Sequence, residues 1–264
     1  MTDPTPEAVA ATLRAAGCVF AEEEAALLLA AAPGGAALDR LVARRVSGEP
    51  LEQVLGWAEL AGVRVHVTPG VFVPRRRSAL LVREGATAAR AVSARGRGAV
   101  VADLCCGTGA VGAALLATAG DAVGELHAAD VDPAAVACAR ANLPHAQVHE
   151  GDLWDAFPAG LAGRLDVVVA NAPYVPTDEI ATMPPEARLH EARVALDGGA
   201  DGLDLHRRIA EGAPAWLAPG GVLVLETSRR QADRTRAALD AAGLATRVVT
   251  DDDVAGTAVV GRRD

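Results

Sequence analysis

Apolar residues recur at three- and four-residue spacing through residues 7–47, at Leu13, Ala16, Ala25, Leu28, Leu29, Leu38, Leu41, Val42 and Val46. That period lines one face of an α-helix, so helices are predicted here, broken at Pro33-Gly34-Gly35. Gly48-Glu49-Pro50 ends the stretch. Residues 54–60 and 63–67 then read as two short strands turning at Ala61-Gly62. After Pro69-Gly70 the chain runs through Val71-Phe72-Val73-Pro74 into a helix expected over about residues 78–92. Beyond Arg95-Gly96-Arg97-Gly98 the pattern alternates. Strands are expected at 99–104, 125–131, 147–150, 165–170 and 221–226, with helices at 109–119, 133–142 and about 230–242. Two last strands, 245–249 and 256–260, are separated by residues 250–255 alone.

Strands alternating with helices predict a mainly parallel sheet covered on both faces. The closing pair has no helix between its members, so it must be antiparallel. The expected fold class is therefore α/β, with a Rossmann-like sheet of seven strands, mostly parallel, whose last strand runs antiparallel. That ending distinguishes a class I methyltransferase sheet from a dinucleotide-binding one. Three parts are expected: a helical domain at 1–50, a β-hairpin linker at 51–74, and a catalytic domain at 75–264.

Composition narrows the function classes. The 264 residues are 51 % apolar and 22 % charged, ordinary values for a globular enzyme, and at this size roughly 70–75 % of the unfolded surface is buried on folding. Aromatics make up 3 %, so the core must rest on Ala, Val and Leu. A formal net charge of −9 argues against a protein that grips bare duplex, which needs a basic footprint. Arg75-Arg76-Arg77 is the best candidate for a local basic patch, with a solvated turn as the plain alternative. Cys18, Cys105, Cys106 and Cys138 form no CxxC pair, which suits a reducing, cytoplasmic setting. Met1 to Glu7 lacks the basic and apolar regions of a signal peptide. Apolar runs such as residues 25–32 fall far short of the about 20 residues that span a bilayer.

The candidate chemistry lies at the ends of the predicted strands. Val101-Ala102-Asp103-Leu104-Cys105-Cys106-Gly107-Thr108-Gly109 leads from a strand through a glycine turn into a helix, a geometry that lets a ligand approach the main chain closely. Gly107, Gly109 and Gly112 also satisfy GxGxxG, so a nicotinamide enzyme is one alternative. Asp103 argues for S-adenosylmethionine instead: a carboxylate there suits an ammonium and a sulfonium and would repel a pyrophosphate. Asp130, ending the next strand, can accept from both ribose hydroxyls, and Asp152, after the third, from an adenine amino group. Each could otherwise cap a turn or helix. No metal set is evident; His145 and His149 read as surface residues.

Asn171-Ala172-Pro173-Tyr174 follows the fourth strand and so faces the same cleft. An amide nitrogen is a poor nucleophile because its lone pair is delocalised. The Asn171 side-chain oxygen and the Ala172 carbonyl can each accept one N–H of an NH2 group, aiming the nitrogen at a sulfonium methyl and stabilising the charge that develops. Pro173 biases Ala172 toward an extended backbone, and Tyr174 offers a flat face to a planar acceptor. The plain alternative is a loop turn with a packed tyrosine.

Taken with Gly48-Glu49-Pro50-Leu51, Leu55-Gly56, Phe72-Val73-Pro74-Arg75, Asp103-Leu104, Gly107-Thr108-Gly109 and residues 196–203 (Leu-Asp-Gly-Gly-Ala-Asp-Gly-Leu), these motifs make nearly the whole chain resemble the protein-(glutamine-N5) methyltransferases, the HemK-like enzymes. The resemblance implies S-adenosylmethionine as donor, S-adenosylhomocysteine as product, and the glutamine of a Gly-Gly-Gln tripeptide in a peptide chain release factor as acceptor. It implies donor contacts from Cys105, Cys106, Gly107, Thr108, Gly109, Asp130 and Asn171, and from Leu153 beside Asp152. Asn171 to Tyr174 would hold the glutamine amide, and the N-terminal helices would dock the protein substrate. Neither membrane association nor direct nucleic-acid binding is expected. The chain departs from the family in carrying Ala172 where proline is usual, Arg76-Arg77-Ser78 where an acidic stretch is usual, Cys105-Cys106 in the glycine turn, and Leu153 rather than an aromatic residue. Two other readings are an adenine N6 or guanine N2 amino methyltransferase, which shares the Asn-x-Pro-Tyr chemistry, and a binding module that keeps the cofactor fold without turnover.

Overall fold

The computed structural model describes residues 5–264; the first four residues of the Met1 to Glu7 segment lie outside it. Three helices open the described chain: α1 (Pro6–Ala15), α2 (Ala21–Ala31) and α3 (Gly35–Val46). The Thr5 hydroxyl accepts the Ala8 N–H and Pro6 opens α1, satisfying the first orphan donors of that helix. Leu13, Ala21, Ala25, Leu28 and Leu38 meet in a separate small core, as their spacing requires.

The apolar run from Val54 predicts a strand, but the strand begins only at Trp57. Residues 51–55 instead form a single helical turn, α4 (Leu51–Leu55). Arg44 explains the difference, because its guanidinium donates to the carbonyls of Gln53 and Val54 at 3.0 and 3.2 Å. Gly56, in the left-handed region at φ +79°, then closes the helix. Val54 completes the helical core. The hairpin β1 (Trp57–Leu60) and β2 (Val63–His66) pairs antiparallel about Ala61-Gly62 and buries Ala58, Leu60 and Val65 against the catalytic body.

That body comprises α5 (Ala79–Ser93), β3 (Ala99–Leu104), α6 (Ala110–Ala119), β4 (Val123–Asp130), α7 (Pro133–Asn142), β5 (Gln147–Glu150) and β6 (Leu165–Ala170). It continues through α8 (Pro185–His190), α9 (Asp204–Trp216), β7 (Leu217–Glu226), α10 (Ala232–Ala241), β8 (Ala245–Asp251) and β9 (Gly256–Arg262). The seven strands form one sheet ordered β5-β4-β3-β6-β7-β9-β8, in which β9 lies antiparallel to both neighbours. This is the α/β, class I methyltransferase sheet expected from the alternation. Successive residues of the central strands go to opposite layers. Val101, Val167 and Val169 pack with α5 and α6, whereas Ala102, Val168 and Ala170 pack with α9 and α10.

The hydrophobic pattern does not announce α9, because Gly212 and Pro214 interrupt it. Burial of His206, Ile209, Ala210 and Ala213 on one face holds it nonetheless. The chain leaves β3 toward β4 and β5 and returns to β6 on the other side of β3, so a crevice opens at the carboxyl ends of β3 and β6. Among the described residues no helix is long and apolar enough to cross a membrane.

Candidate active site

The crevice is a cleft of about 360 Å³, within the roughly 300–1,000 Å³ of small-molecule sites. Its floor is the turn from β3 to α6, where Cys105, Gly107 and Gly109 all have positive φ (58°, 54° and 75°). The Cys106 N–H donates to the Ala129 carbonyl at 3.0 Å, and the Gly107 N–H to Asp130 Oδ2 at 2.8 Å. Asp130 Oδ1 accepts the Asp132 N–H at 3.0 Å. It is Asp132, not Asp130, that caps α7, by accepting the Ala134 N–H. Asp130 is thereby left facing the cleft, with one further lone pair on each oxygen; burial pushes its carboxyl up.

Asp103 is buried, and its Oδ2 accepts the Gly112 N–H at 2.8 Å. A Cβ at position 112 would lie 3.1 Å from that oxygen, so the third glycine of the motif makes room for a carboxylate. Desolvation pushes the Asp103 carboxyl up to about 7. Cys105, Cys106, Gly107 and Thr108 line the cleft with it. Gly109 does not; it packs against Leu143, where a Cβ would sit 2.8 Å from Cδ1. Leu153 is buried in the cleft wall at φ +50°. Asp152 stands exposed at the rim and pairs with Arg208 at 2.7 Å.

Past the end of β6 the chain delivers Asn171, Pro173 and Tyr174 to the cleft. The Ala172 methyl turns into the core beneath α9, and no donor among the described residues reaches its carbonyl. Asn171 Nδ2 donates to Ser78 Oγ at 3.3 Å, and Ser78 Oγ donates to Glu226 Oε2 at 2.6 Å. Glu226 Oε1 accepts from Arg77 Nε at 3.1 Å and from the Tyr174 hydroxyl at 3.3 Å. Burial, with Glu226 beside it, holds the Tyr174 hydroxyl protonated far above its ordinary range. Residues 196–203 cradle this tetrapeptide from behind. Just beyond the tetrapeptide, the Val175 N–H donates to Leu196 O and the Gly198 N–H to Val175 O; from the start of α10, Gln231 Nε2 donates to Tyr174 O.

The third wall comes from the N-terminal side. Arg75 pairs with buried Glu191 at 2.6 Å, and that same carboxylate oxygen accepts the Val73 N–H at 3.0 Å. Arg45, buried at 6 % exposure, pairs with Glu24 of α2 at 2.6 Å and with Glu186 of α8 at 2.6 Å. Gln53 Nε2 donates to the carbonyls of Val71 and His190 at 3.2 Å each. Arg75 and Arg77 therefore serve buried carboxylates, and the arginine triplet is not a basic patch. His149, expected at the surface, is half-buried, its ring stacked on His127 with centroids 5.4 Å apart.

The predicted residues thus converge on one cleft, with Gly109 behind it and the Ala172 side chain beneath it. Ser78 and Glu226 are additions. Glu226 ends β7 as Asp103 and Asp130 end or nearly end their own strands, and an acid at that position was the available signal. Nothing in the sequence singles out Ser78.

Residues 62–202 match the family model described as Methyltransferase small domain. The chain is 37 % identical over 202 residues to the release factor glutamine methyltransferase of Geobacter sulfurreducens, covering 75 % of this chain and 67 % of that protein. It is 37 % identical over 188 residues to the 4-amino-L-phenylalanine/4-methylamino-L-phenylalanine methyltransferase of Streptomyces pristinaespiralis, covering 70 % and 63 %. In structure it resembles a methyltransferase from Pyrococcus furiosus, with a TM-score of 0.54 at 16 % identity over 85 % of this chain and 98 % of that one. That likeness speaks to the fold alone.

Proposed function

This chain belongs to the release factor glutamine methyltransferase family, and from that premise we propose that its acceptor is the glutamine amide of the Gly-Gly-Gln in a peptide chain release factor. The enzyme uses S-adenosylmethionine as its methyl donor. When bound, the donor supplies a methyl on a sulfonium centre and leaves as S-adenosylhomocysteine.

Two features of the cleft fit that donor. Asp103 Oδ1 has no partner within the described chain, and a buried carboxylate short of a partner favours a cation beside it. The spare lone pairs of Asp130 suit two ribose hydroxyls. In this reading Cys105, Cys106, Gly107, Thr108 and Leu153 shape the donor pocket while Gly109 sets the turn. Asp152 is paired with Arg208 through Oδ2, and its other oxygen would be the acceptor for an adenine amino group.

One observation carries the acceptor reading. Asn171 turns its NH2 toward Ser78, so its oxygen is free as an acceptor, beside an Ala172 carbonyl with no partner. Two acceptors at one mouth match the two N–H bonds of a primary amide. They hold the nitrogen lone pair on the line of attack and favour the positive charge as the new C–N bond forms. The departing N–H proton goes to solvent. Pro173 keeps the Ala172 carbonyl extended, and the Tyr174 ring supports the amide plane.

A base in a nucleic acid presents a similar NH2, but the arginines nearest the cleft are neutralised by Glu191 and Glu226 and the net charge is −9. In the proposed division, residues 1–50 dock the protein acceptor, 51–74 link, and 75–264 carry out transfer. The test is transfer of labelled methyl to a purified release factor, with a Gln→Ala change in its Gly-Gly-Gln as control. Label that vanishes in the control supports the proposal. Label absent from the release factor but present on 4-aminophenylalanine would replace it with an arylamine acceptor.

A further inference from the structure

We propose that Ser78 and Glu226 are positioning residues that lock the Asn171 amide with its oxygen toward the acceptor. This rests on the reading of Asn171 as the residue that holds the acceptor nitrogen.

The argument is one of proton direction. Glu226 is 1 % exposed, and although burial pushes its carboxyl up, its two oxygens receive the Arg77 guanidinium N–H and the Ser78 and Tyr174 hydroxyls, the arrangement of a carboxylate that only accepts hydrogen bonds. Ser78 is 2 % exposed and has a single hydroxyl proton. At 2.6 Å from Glu226 Oε2, that proton is committed to the carboxylate; such a charge-assisted bond is about twice as strong as a neutral one. Ser78 Oγ can then only accept along its remaining side. Asn171 lies 3.3 Å away on that side, and an accepting oxygen selects the NH2 end of its amide. The Asn171 oxygen is forced to the opposite side, into the cleft.

Without the lock the amide could turn over and present N–H to the N–H of an acceptor. A donor facing a donor cannot align the nitrogen, so the flipped population would be unproductive. Glu226 also receives the Tyr174 hydroxyl. One carboxylate therefore fixes both ends of the acceptor tetrapeptide, Asn171 through Ser78 and Tyr174 directly.

The experiment compares Ser78→Ala, Ser78→Thr, Glu226→Gln and Asn171→Ala in methyl transfer to a release factor, with donor KM measured for each. Ser78→Ala frees the amide. Glu226→Gln replaces a pure acceptor with a group that also donates, so Ser78 can donate to Asn171 instead. Both should lower kcat about tenfold or more, the scale of one charge-assisted hydrogen bond, with donor KM within about twofold. Ser78→Thr keeps the hydroxyl and should recover most of the loss. Ser78→Ala with kcat within twofold of wild type, while Asn171→Ala is inactive, would overturn the lock and leave the acceptor reading standing. Ser78→Thr as slow as Ser78→Ala would overturn it too, because the hydroxyl would then not be the operative group. Full turnover by Asn171→Ala would remove the acceptor reading itself. Should Glu226→Gln lose donor binding through misfolding, Ser78→Ala, which deletes a single heavy atom, decides alone.

Discussion

Cys105 holds φ +58° at the bend between β3 and α6, a left-handed conformation in which a Cβ crowds its own carbonyl at a cost of roughly 1–2 kcal/mol. Glycine would escape that cost but give back part of it through a freer unfolded chain. Cys105→Gly should therefore raise stability by up to about 1 kcal/mol, read from the midpoint of urea unfolding; a clear loss would mean that the side chain packs favourably enough to offset its strain. Asp103, two residues earlier, gives a pH signature. Its carboxyl sits at about 7, against an ordinary 3.8. Between those values the folded chain keeps a proton that the unfolded chain has shed, so its contribution lowers stability as pH rises through that window. Asp103→Asn keeps an acceptor for the Gly112 N–H, and its unfolding free energy should lack that falling component when both proteins are followed from pH 4 to 8. Equal slopes would count against a buried, protonatable Asp103. At this scale the sequence was legible wherever chemistry and strand ends coincide, as at Asp103, Asp130 and Asn171. Ser78 was not, since a serine beside three arginines carries no sign of the carboxylate 148 residues away in sequence that receives its proton.

The elements that could be read were those with a clean period. The strands over residues 99–104 and 165–170 stand where the pattern puts them, because both faces of these two central strands are buried along their whole length and the pattern has one solution; the edge strand over 147–150 also stands where expected. α4 and α9 escaped for opposite reasons. The first is made helical by a side chain from another helix, Arg44; the second hides its period behind Gly212 and Pro214. The stretch 196–203 was visible only as a motif, and its backbone supplies the reason. A Cβ at Gly198 would lie 2.8 Å from both Pro173 O and Tyr174 Cα, closer than real contacts allow, so the loop can press on residues 171–174 only through glycine. Gly198→Ala should push Asn171 to Tyr174 out of register and lower kcat by about tenfold or more, on the principle that an ångström of misplacement is costly, with donor KM little changed. Wild-type turnover would show that the tetrapeptide tolerates the displacement.

Across the whole molecule, the −9 charge, the parallel sheet and its reversed ending were all legible because they are sums or patterns over many residues. The join between the helical unit and the catalytic body was not, since it depends on a few long-range pairs. Glu186 of α8 reaches Arg45 of α3, the His190 carbonyl reaches Gln53, Glu191 reaches Arg75, and the Ala192 N–H reaches Gly70 O. The same segment continues into Ala195 and Leu196, which line the cleft. It is placed as a tie-rod between the N-terminal helices and the cleft. Amide hydrogen exchange makes that visible: S-adenosylhomocysteine, seated at the strand ends, should slow exchange within α3 and α8 although it touches neither. Unchanged exchange there would mean the rod is slack. Because coupling free energies are reciprocal, a taut rod also means that whatever the donor site gains from an engaged acceptor protein, the acceptor protein gains from an occupied donor site. The two substrates would then hold each other in place before any bond is made.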